Sequence, residues 1–383
     1  RGTEIFARLG GDEFAIILEH LERTDETEKV ALRILRVLVK PFTISEAQIN
    51  MSASIGIAIS PDDALSASDL FKRADMAMYK AKALGRNQIA FFEEAMQRHF
   101  LSRYKIENAL KSVLEKKQLE LYYQPVYSVE NTKVIGFEAL LRWHSDQGII
   151  SPDVFIPIAE ECKLICPIGR WVIGQACQKI SYWQKKFNVP LTMSINLSPV
   201  QLSDDLLIAH IKKCIEVNKL TASSIEFEIT ETALLDDSAQ TEQTINKISH
   251  LGCTIALDDF GTGFSSLSHL HHFPIDTVKI DKSLMPSSSE EQMNNAINNE
   301  KIIHGLVAML KYLDLNIVAE GLESQSHLKL CQSLHIQKLQ GYFLSKPMPA
   351  DKIDSIANFI TNQSTIQSTG KTPVQNTQSE ITA

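Results

Sequence analysis

The sequence predicts an α/β protein in which a TIM-like (β/α)₈ barrel follows a smaller, partial α/β domain. From residue 103 to residue 358, short apolar strands alternate with helices over the length of one such barrel. Residues 1–95 follow a different pattern, in which a hairpin precedes helices and single strands. The chain has 383 residues, 44% of them apolar and 22% charged, which is enough to fill a large core beside a smaller one.

The amino-terminal region opens on a predicted β-hairpin, because apolar strands flank the turn Gly10-Gly11-Asp12-Glu13. Apolar periodicity predicts the elements that follow it, which are helices at 26–39 and 69–84 and strands at 51–59 and 87–92. These elements make the carboxyl-terminal part of an α/β domain whose first elements are missing.

Two further segments separate from the globular parts by their composition. Residues 96–117 are amphipathic and predict a connecting helix. Residues 361–383 are rich in Ser, Thr, Gln and Asn, and we expect them to form a disordered polar tail. The first residue is Arg1 rather than Met and lies within a strand-like pattern, so we expect the chain to be part of a longer protein.

The formal net charge of −8 offers no polybasic surface, so we expect no nucleic-acid polymer as a partner. The six cysteines form no CxxC pair, which indicates free thiols in a reducing compartment. No apolar run reaches the length of a membrane span and no signal peptide opens the chain. We therefore expect a cytoplasmic location without a membrane segment here, with any sensor or membrane anchor lying upstream.

Polar side chains close or follow the predicted strands of the barrel. They are Glu138, Asn196, Glu228, Glu231, Asp258, Asp259, Lys279, Asp281, Glu320 and Gln340. Because the carboxyl ends of parallel strands meet at one face of a barrel, we expect these side chains to share one rim. One such residue alone is an ordinary strand cap. So many carboxylates on a small face repel one another unless cations neutralise them.

The predicted rim offers oxygen ligands without His or Cys, which favours hard cations such as Mg²⁺, Mn²⁺ or Ca²⁺. The adjacent Asp258 and Asp259 can bridge two ions about 4 Å apart, the spacing of two-metal phosphodiester hydrolysis. Lys279 is suited to orient the attacking water or to help deprotonate it. The rim therefore predicts a metal-dependent phosphodiesterase.

The segment Glu138-Ala139-Leu140 resembles the signature of the EAL family of cyclic di-GMP phosphodiesterases. The resemblance spans residues 103–349 and includes the motifs Asn196-Leu197-Ser198, Glu228-Ile229-Thr230-Glu231, Asp258-Asp259-Phe260-Gly261, Lys279-Ile280-Asp281, Glu320-Gly321-Leu322-Glu323 and Gln340-Gly341-Tyr342. It implies that the barrel hydrolyses this bacterial second messenger to linear pGpG.

The resemblance also implies the metal ligands. Glu138, Asn196, Glu228 and Asp258 would bind a first ion, and Asp258 with Asp259 would bind a second. Mg²⁺ or Mn²⁺ is expected as the activating ion, and Ca²⁺ is expected to inhibit.

The remaining site residues receive roles from the same resemblance. Lys279 would hold the attacking water, and Glu320 would complete the catalytic site. Glu231 would brace the loop after Asp258-Asp259, whose conformation the family links to dimerisation and activity. The residues expected to bind substrate are Arg142, as a fork-shaped donor to a phosphate, Gln340 and Asp281.

Gly10-Gly11-Asp12-Glu13-Phe14 resembles the signature of the GGDEF diguanylate cyclases, which join two GTP molecules. Gly10 and Gly11 would let a phosphate approach the backbone, and Asp12 and Glu13 would serve metal binding and nucleophile activation. The two basic residues suited to phosphates are Lys82 and Arg86. That family's earlier half, with a metal-binding aspartate, is absent. We therefore expect a regulatory remnant with GTP as its candidate ligand, rather than a competent cyclase.

Two functions from different classes stay open on the sequence. The first is an active phosphodiesterase that forms a homodimer through the barrel. The second is a catalytically weak cyclic di-GMP receptor that signals through protein–protein contact. The complete set of acidic residues favours hydrolysis. Residues 282–301 are longer and more polar than the family pattern, which affects the expected dimer contact rather than the chemistry.

Overall fold

The computed structural model describes residues 4–19, 24–44, 47–131, 133–146, 148–234, 239–261, 272–286 and 293–355. The chain divides into two compact units, Arg1–Asn108 and Ala109–Ala383. The predicted polar tail, residues 361–383, lies outside the described residues, and so do residues 287–292 of the long polar segment. Among the helices that are described, none combines the length and the apolar character needed to cross a membrane.

In its described part, the first unit alternates short sheets with helices. Its elements are β1 (Glu4–Gly10), β2 (Glu13–Leu18), α1 (Thr24–Leu38), β3 (Phe42–Ile44), β4 (Ala47–Ile49), β5 (Ile55–Ile57), α2 (Ala67–Ala83), β6 (Ile89–Phe91) and α3 (Glu94–Leu110). The pairs β1–β2 and β3–β4 are antiparallel, and β5 pairs in parallel with β6.

The core of this unit forms where α2 packs on β5 and β6. Ala77 and Ala81 of α2 are fully buried there against Phe92. The helix lies so close that a Cβ atom on Gly56 of β5 would be 2.0 Å from the carbonyl oxygen of Ala74. Only glycine fits at that position, because the obstructing atom belongs to the backbone.

The predicted hairpin and the two helices of this unit are confirmed, but the strands are shorter than predicted. The strand expected at 51–59 is reduced to β5, and the helix expected at 96–117 ends at Leu110. The hairpin β3–β4 was missed, because each of its strands has only three residues and shows no periodicity.

The second unit carries the barrel and its surrounding helices. Its elements are β7 (Leu119–Ser128), β8 (Val134–Ser145), β9 (Gly148–Ile150), α4 (Pro152–Glu161), α5 (Ile165–Phe187), β10 (Thr192–Asn196), α6 (Pro199–Leu202), α7 (Leu207–Asn218), β11 (Ile225–Thr230), α8 (Glu231–Leu234), α9 (Ala239–His250), β12 (Thr254–Phe260), β13 (Thr277–Ile280), α10 (Met293–Tyr312), β14 (Asn316–Ala319), α11 (Gln325–Ser333), β15 (Lys338–Leu339), β16 (Met348–Pro349) and α12 (Ala350–Ser355).

The barrel closes in the order β7-β8-β10-β11-β12-β13-β14-β15, with β15 pairing back onto β7. This confirms the predicted barrel with one difference, since β7 runs antiparallel to both of its neighbours. The difference has a simple cause. Only a short turn joins β7 to β8, and parallel strands need a crossover of a dozen or more residues.

Aromatic side chains join the barrel wall to its helices. Trp183 of α5 is fully buried. Its ring lies 4.8 Å from that of Tyr123 in a T-shaped contact, and its Nε1 donates a hydrogen bond to Asp354 of α12 at 2.9 Å. Trp143 is likewise buried and stacks edge to face on Phe155. These contacts cover the outer face of the barrel strands. The inner face of the strands carries polar residues at one end of the barrel.

The segments that follow β14 and β15 approach each other closely. Leu322 donates its backbone N–H to the carbonyl of Gln340, and Phe343 donates to the carbonyl of Leu322. A Cβ atom on Gly341 would lie 2.2 Å from the backbone nitrogen of Leu322 and 2.4 Å from its oxygen. The close approach therefore depends on a glycine at position 341.

We expect Gly341→Ala to lower the free energy of unfolding by about 3 kcal/mol, because the backbone of Leu322 cannot yield to the added methyl group. The matched control is Gly174→Ala within α5, where a Cβ atom meets nothing within 4 Å. That change should raise stability by about 0.5–1 kcal/mol through helix propensity. Urea denaturation measures both, and equal effects would contradict the prediction.

Candidate active site

The predicted site residues converge at one end of the barrel. Asn196 ends β10, Glu320 follows β14 and Gln340 follows β15, as predicted. Glu138 does not end its strand, because β8 continues to Ser145. Glu228 and Asp258 likewise lie within their strands, since β11 continues to Thr230 and β12 to Phe260. The residues on the inner wall nevertheless come from successive strands, and they are Glu138, Asn196, Glu228, Asp258, Lys279, Glu320 and Gln340.

Lys279 lies at the centre of this group, and its side chain is only 2% exposed. Its Nζ is 2.7 Å from Glu320 Oε1, 2.9 Å from Glu228 Oε2 and 3.2 Å from Asp258 Oδ1. It is also 3.8 Å from Oε2 of Glu138, whose strand lies opposite β13 in the ring. One buried ammonium therefore faces four carboxylates.

Glu138 is held by amide donors from two sides. Asn196 Nδ2 donates to its Oε1 at 2.8 Å, and Gln340 Nε2 donates to its Oε2. Gln340 Nε2 also contacts Oε1 of Gln124 at 3.2 Å, and Gln124 in turn donates to the backbone carbonyl of Ser345. The orientation of Glu138 is thus fixed by a chain of amides that crosses from β10 to β7.

Asp258 and Asp259 both reach the site because the strand is irregular between them. Neighbouring residues of a regular strand point to opposite faces. Here the register of β12 against β13 shifts between Leu257 and Phe260, and Asp259 adopts a positive φ of 56°. As a result, carboxylate oxygens of Asp258, Asp259 and Glu320 lie within 4.8 Å of one another.

Buried charge shifts the ionisation of the central pair. Burial lowers the pKa of Lys279, but the charges of Glu138 and Glu228 outweigh this effect and raise the pKa well above its usual value. Burial alone would raise the pKa of Glu138. The charge of Lys279 and the hydrogen bonds from Gln340 and Asn196 outweigh burial, so this pKa lies below its usual value. Both groups are therefore charged at neutral pH.

In the other carboxylates of the site, burial outweighs the charge of Lys279. Burial, reinforced by the charge of Glu138, raises the pKa of Glu228 well above its usual value. Burial raises the pKa of Glu320 to about 7. Burial and the neighbouring Asp258 also raise the pKa of Asp259. A single ammonium does not compensate so many carboxylates, and the site favours further positive charge.

The donor set fits divalent cations. Oε2 of Glu228 is buried and makes no aligned hydrogen bond within the described part of the chain, although it lies near Lys279. Asp258, Asp259 and Glu320 form a compact group of oxygen ligands beside it. Hard cations prefer such carboxylate oxygens. The assignment of individual ligands to a first and a second ion stays a prediction.

Three further predicted residues follow site residues by two to four positions along the chain. Arg142 of β8 stacks its guanidinium 5.3 Å from the ring centre of Tyr122 and donates to the carbonyl of Leu141. Asp281 accepts the backbone N–H of Ser283 and caps a short 3₁₀ turn. Glu231 opens α8 and is buried, but most of the loop that it was expected to brace lies outside the described residues.

The residues of the predicted nucleotide remnant are exposed. Gly10 and Gly11 form the turn between β1 and β2 with positive φ values, and Arg8 donates to the carbonyl of Gly11. Asp12 and Glu13 follow in the turn and at the start of β2, and the other two residues, Lys82 and Arg86, lie at and just after the end of α2. Their binding roles stay predictions.

Two residues of the site escaped the sequence analysis. Gln124 was missed although it is the one amide in the apolar and aromatic run from Leu121 to Tyr127, which is a usable signal. Tyr122 was missed because an aromatic residue in a strand is most often a packing residue. Its contact with Arg142 depends on the antiparallel register of β7 and β8, which the sequence analysis did not predict.

The fold and the site together define a (β/α)₈ barrel with a lysine among carboxylates at the carboxyl ends of its strands. The family model described as EAL domain matches residues 107–347, and the chain belongs to that family. Residues 1–88 match the family model described as diguanylate cyclase, GGDEF domain.

Several named proteins are similar to this chain. The bifunctional diguanylate cyclase/cyclic di-GMP phosphodiesterase MucR of Pseudomonas aeruginosa is 35% identical over 354 residues, which are 92% of this chain and 51% of that protein. The cyclic di-GMP phosphodiesterase PdeR of Escherichia coli is 34% identical over 348 residues, which are 91% of this chain and 51% of that protein. The chain thus spans about half the length of these relatives.

Among solved structures, the MucR phosphodiesterase in complex with c-di-GMP is similar to the barrel. It has 33% sequence identity and a TM-score of 0.60, and the match covers 65% of this chain and 99% of that one. The similarity agrees with the barrel described above.

We expect the stability of the metal-free protein to fall as pH rises from about 5 to 7. The folded state holds the proton of Glu320 up to its pKa of about 7, whereas the unfolded chain releases it near 4.5. In this window the folded state binds more protons, so unfolding becomes easier with rising pH. Glu320→Gln should flatten the dependence, measured by denaturation in chelator. The exposed Glu216→Gln should keep the wild-type slope, and a wild-type slope in Glu320→Gln would contradict the assignment.

Proposed function

We propose that the barrel hydrolyses cyclic di-GMP to linear pGpG in a metal-dependent reaction. The observation that carries the proposal is the strand irregularity that turns Asp258 and Asp259 together toward Glu320, beside the buried Lys279. The names of MucR and PdeR as cyclic di-GMP phosphodiesterases support the substrate. The MucR structure with bound c-di-GMP supports it further.

In this proposal Lys279 orients the attacking water. Its pKa is raised well above the usual value by the surrounding carboxylates, so the ammonium stays protonated and acts as a donor. Glu138 is kept in one orientation by Asn196 and Gln340, which preorganises the site. Divalent cations held by the carboxylates supply stabilisation of the negative charge that develops on the phosphate.

Arg142 is proposed to bind a phosphate of the substrate. Its contact with the ring of Tyr122 limits the rotation of the guanidinium, and one Nη atom is bonded to the carbonyl of Leu141. The remaining N–H groups are suited to a bidentate contact with a phosphate. Gln340 and Asp281 are proposed to complete the substrate site.

Finer features are part of the same proposal. The activating ions are Mg²⁺ or Mn²⁺, two per site, because the oxygen donor set favours hard cations, and Ca²⁺ inhibits by competing for the same oxygen ligands. The barrel forms a homodimer in the cytoplasm, where Glu231 supports the loop after β12. The amino-terminal unit binds GTP through its exposed glycine turn and has a regulatory role.

The sharpest test is Asp259→Asn, because asparagine tolerates the positive φ at this position and only the carboxylate is lost. We expect hydrolysis to fall by at least about a hundredfold, since several kcal/mol of charge stabilisation are removed. Turnover to pGpG is followed by chromatography with Mg²⁺ or Mn²⁺. Calorimetry should show one ion fewer per site.

The matched control is Asp314→Asn, which carries the same chemical change at the same φ of 56° on an exposed turn before β14. It should keep wild-type activity. Equal activity of the two variants would contradict the role of Asp259. If the wild-type chain binds cyclic di-GMP tightly but forms no pGpG with either ion, the receptor function would replace hydrolysis as the proposed function.

We expect Arg142→Ala to raise the KM for cyclic di-GMP by roughly tenfold to a hundredfold, because a charged hydrogen bond to a phosphate is worth about 1.5–3 kcal/mol. Arg142→Lys should recover part of this loss, since it keeps the charge but not the fork. Steady-state kinetics at saturating Mn²⁺ measure both variants. An unchanged KM in Arg142→Ala would exclude the phosphate contact.

A further inference from the structure

A second polar cluster lies inside the barrel, below the residues of the proposed active site. Its centre is Glu226 of β11, which is 5% exposed. Oε1 of Glu226 accepts a hydrogen bond from Ser194 Oγ at 3.0 Å. Oε2 accepts one from Thr277 Oγ1 at 2.7 Å and pairs with Lys338 Nζ at 3.4 Å. Both oxygens of this carboxylate are therefore in use.

Each member of the cluster precedes an active-site residue by two positions in the sequence, and all of these residues except Gln340, which follows β15, lie on the same strand as their cluster member. The pairs are Ser194 with Asn196, Glu226 with Glu228, Thr277 with Lys279, and Lys338 with Gln340. Side chains two positions apart in a strand point to the same face, about 7 Å apart. The cluster is thus the layer directly beneath the site.

Glu226 connects strands that are not neighbours. Ser194 is its register partner on the adjacent β10, but Thr277 is on β13 and Lys338 is on β15. In the closed ring of eight strands, β15 lies four strands from β11 and thus on the opposite side. One carboxylate therefore ties together four of the strands that carry site residues, across the interior of the barrel.

We propose that Glu226 is a positioning residue that sets the relative positions, along the barrel axis, of the strands β10, β11, β13 and β15. It thereby fixes the separation between the carboxylate ligands and Lys279. This inference rests on the proposed metal-dependent function, because the positions that it explains are those of the proposed ligands and of Lys279.

Stability alone does not account for this cluster. A buried ion pair is often no more stabilising than apolar residues of similar volume, because removing two charges from water offsets their attraction. An apolar layer would fill the barrel equally well, but it would not bond to a hydroxyl on β13 directly below Lys279. The hydrogen bonds of Glu226 are directional, so they fix the positions of the strands that they join. An active site requires its residues to lie within about 0.5 Å of the productive geometry.

The test uses Glu226→Gln in the full 383-residue chain. The change keeps the shape but removes one acceptor oxygen and the partner charge of Lys338. We expect Mn²⁺ affinity, measured by calorimetry without substrate, to fall by roughly tenfold, as for residues that orient metal ligands indirectly. The kcat should fall by a similar factor.

The double variant Glu226→Gln with Lys338→Met separates positioning from simple stability. Removing the lysine that has lost its partner should restore the melting temperature, because no unpaired charge stays buried. The Mn²⁺ affinity should stay low, since the side-chain contact between β11 and β15 is still absent. Recovery of both together would overturn the proposal, and so would a Glu226→Gln affinity within twofold of wild type.

Thr277→Val provides an independent arm if Glu226→Gln does not fold. It removes only the contact beneath Lys279 with little change in volume, and it should weaken Mn²⁺ binding while Oε2 of Glu226 keeps its pairing with Lys338. Unchanged Mn²⁺ binding in a folded Thr277→Val would overturn the proposal. A wild-type chain that neither binds Mn²⁺ nor hydrolyses cyclic di-GMP marks failure of the proposed function instead, and the comparison of variants keeps the two cases distinct.

Discussion

The environment of Lys279 constrains most of the second unit. A fully buried ammonium is costly unless it is paired, and here four carboxylates approach it within 4.0 Å. These carboxylates come from strands on both sides of the ring, so the pairing requires the barrel to be closed and its strands to be correctly staggered. The excess of negative charge around one lysine then leaves a site that divalent cations complete.

Local irregularities of the backbone serve this arrangement. The shifted register at Asp258 and Asp259 turns two consecutive carboxylates to one side, which a regular strand cannot do. Gly341 allows the segments after β14 and β15 to touch, which brings Glu320 and Gln340 to the same rim. Beneath them, the contacts of Glu226 replace apolar packing by directed bonds. Regular secondary structure alone would give a barrel without a site.

The sequence predicted the barrel and most of the residues on its inner wall, because polar residues such as Asn196 and Glu320 stand at or just after the ends of apolar strands. It did not predict that β8 runs on past Glu138, since the polar and apolar residues that follow suit either a strand or a loop. The sequence also could not predict the contacts of Gln124 with Gln340 and of Glu226 with Lys338. They join residues 216 and 112 positions apart, and their geometry exists only once the barrel closes.

The charge balance also discriminates between the two roles that the sequence left open for Lys279. A lysine acts as a base only when its pKa falls toward neutrality, usually through burial among apolar groups or near other cations. The carboxylates around Lys279 have the opposite effect, and they raise its pKa well above the usual value. The protonated side chain is therefore a donor that can hold a water in place.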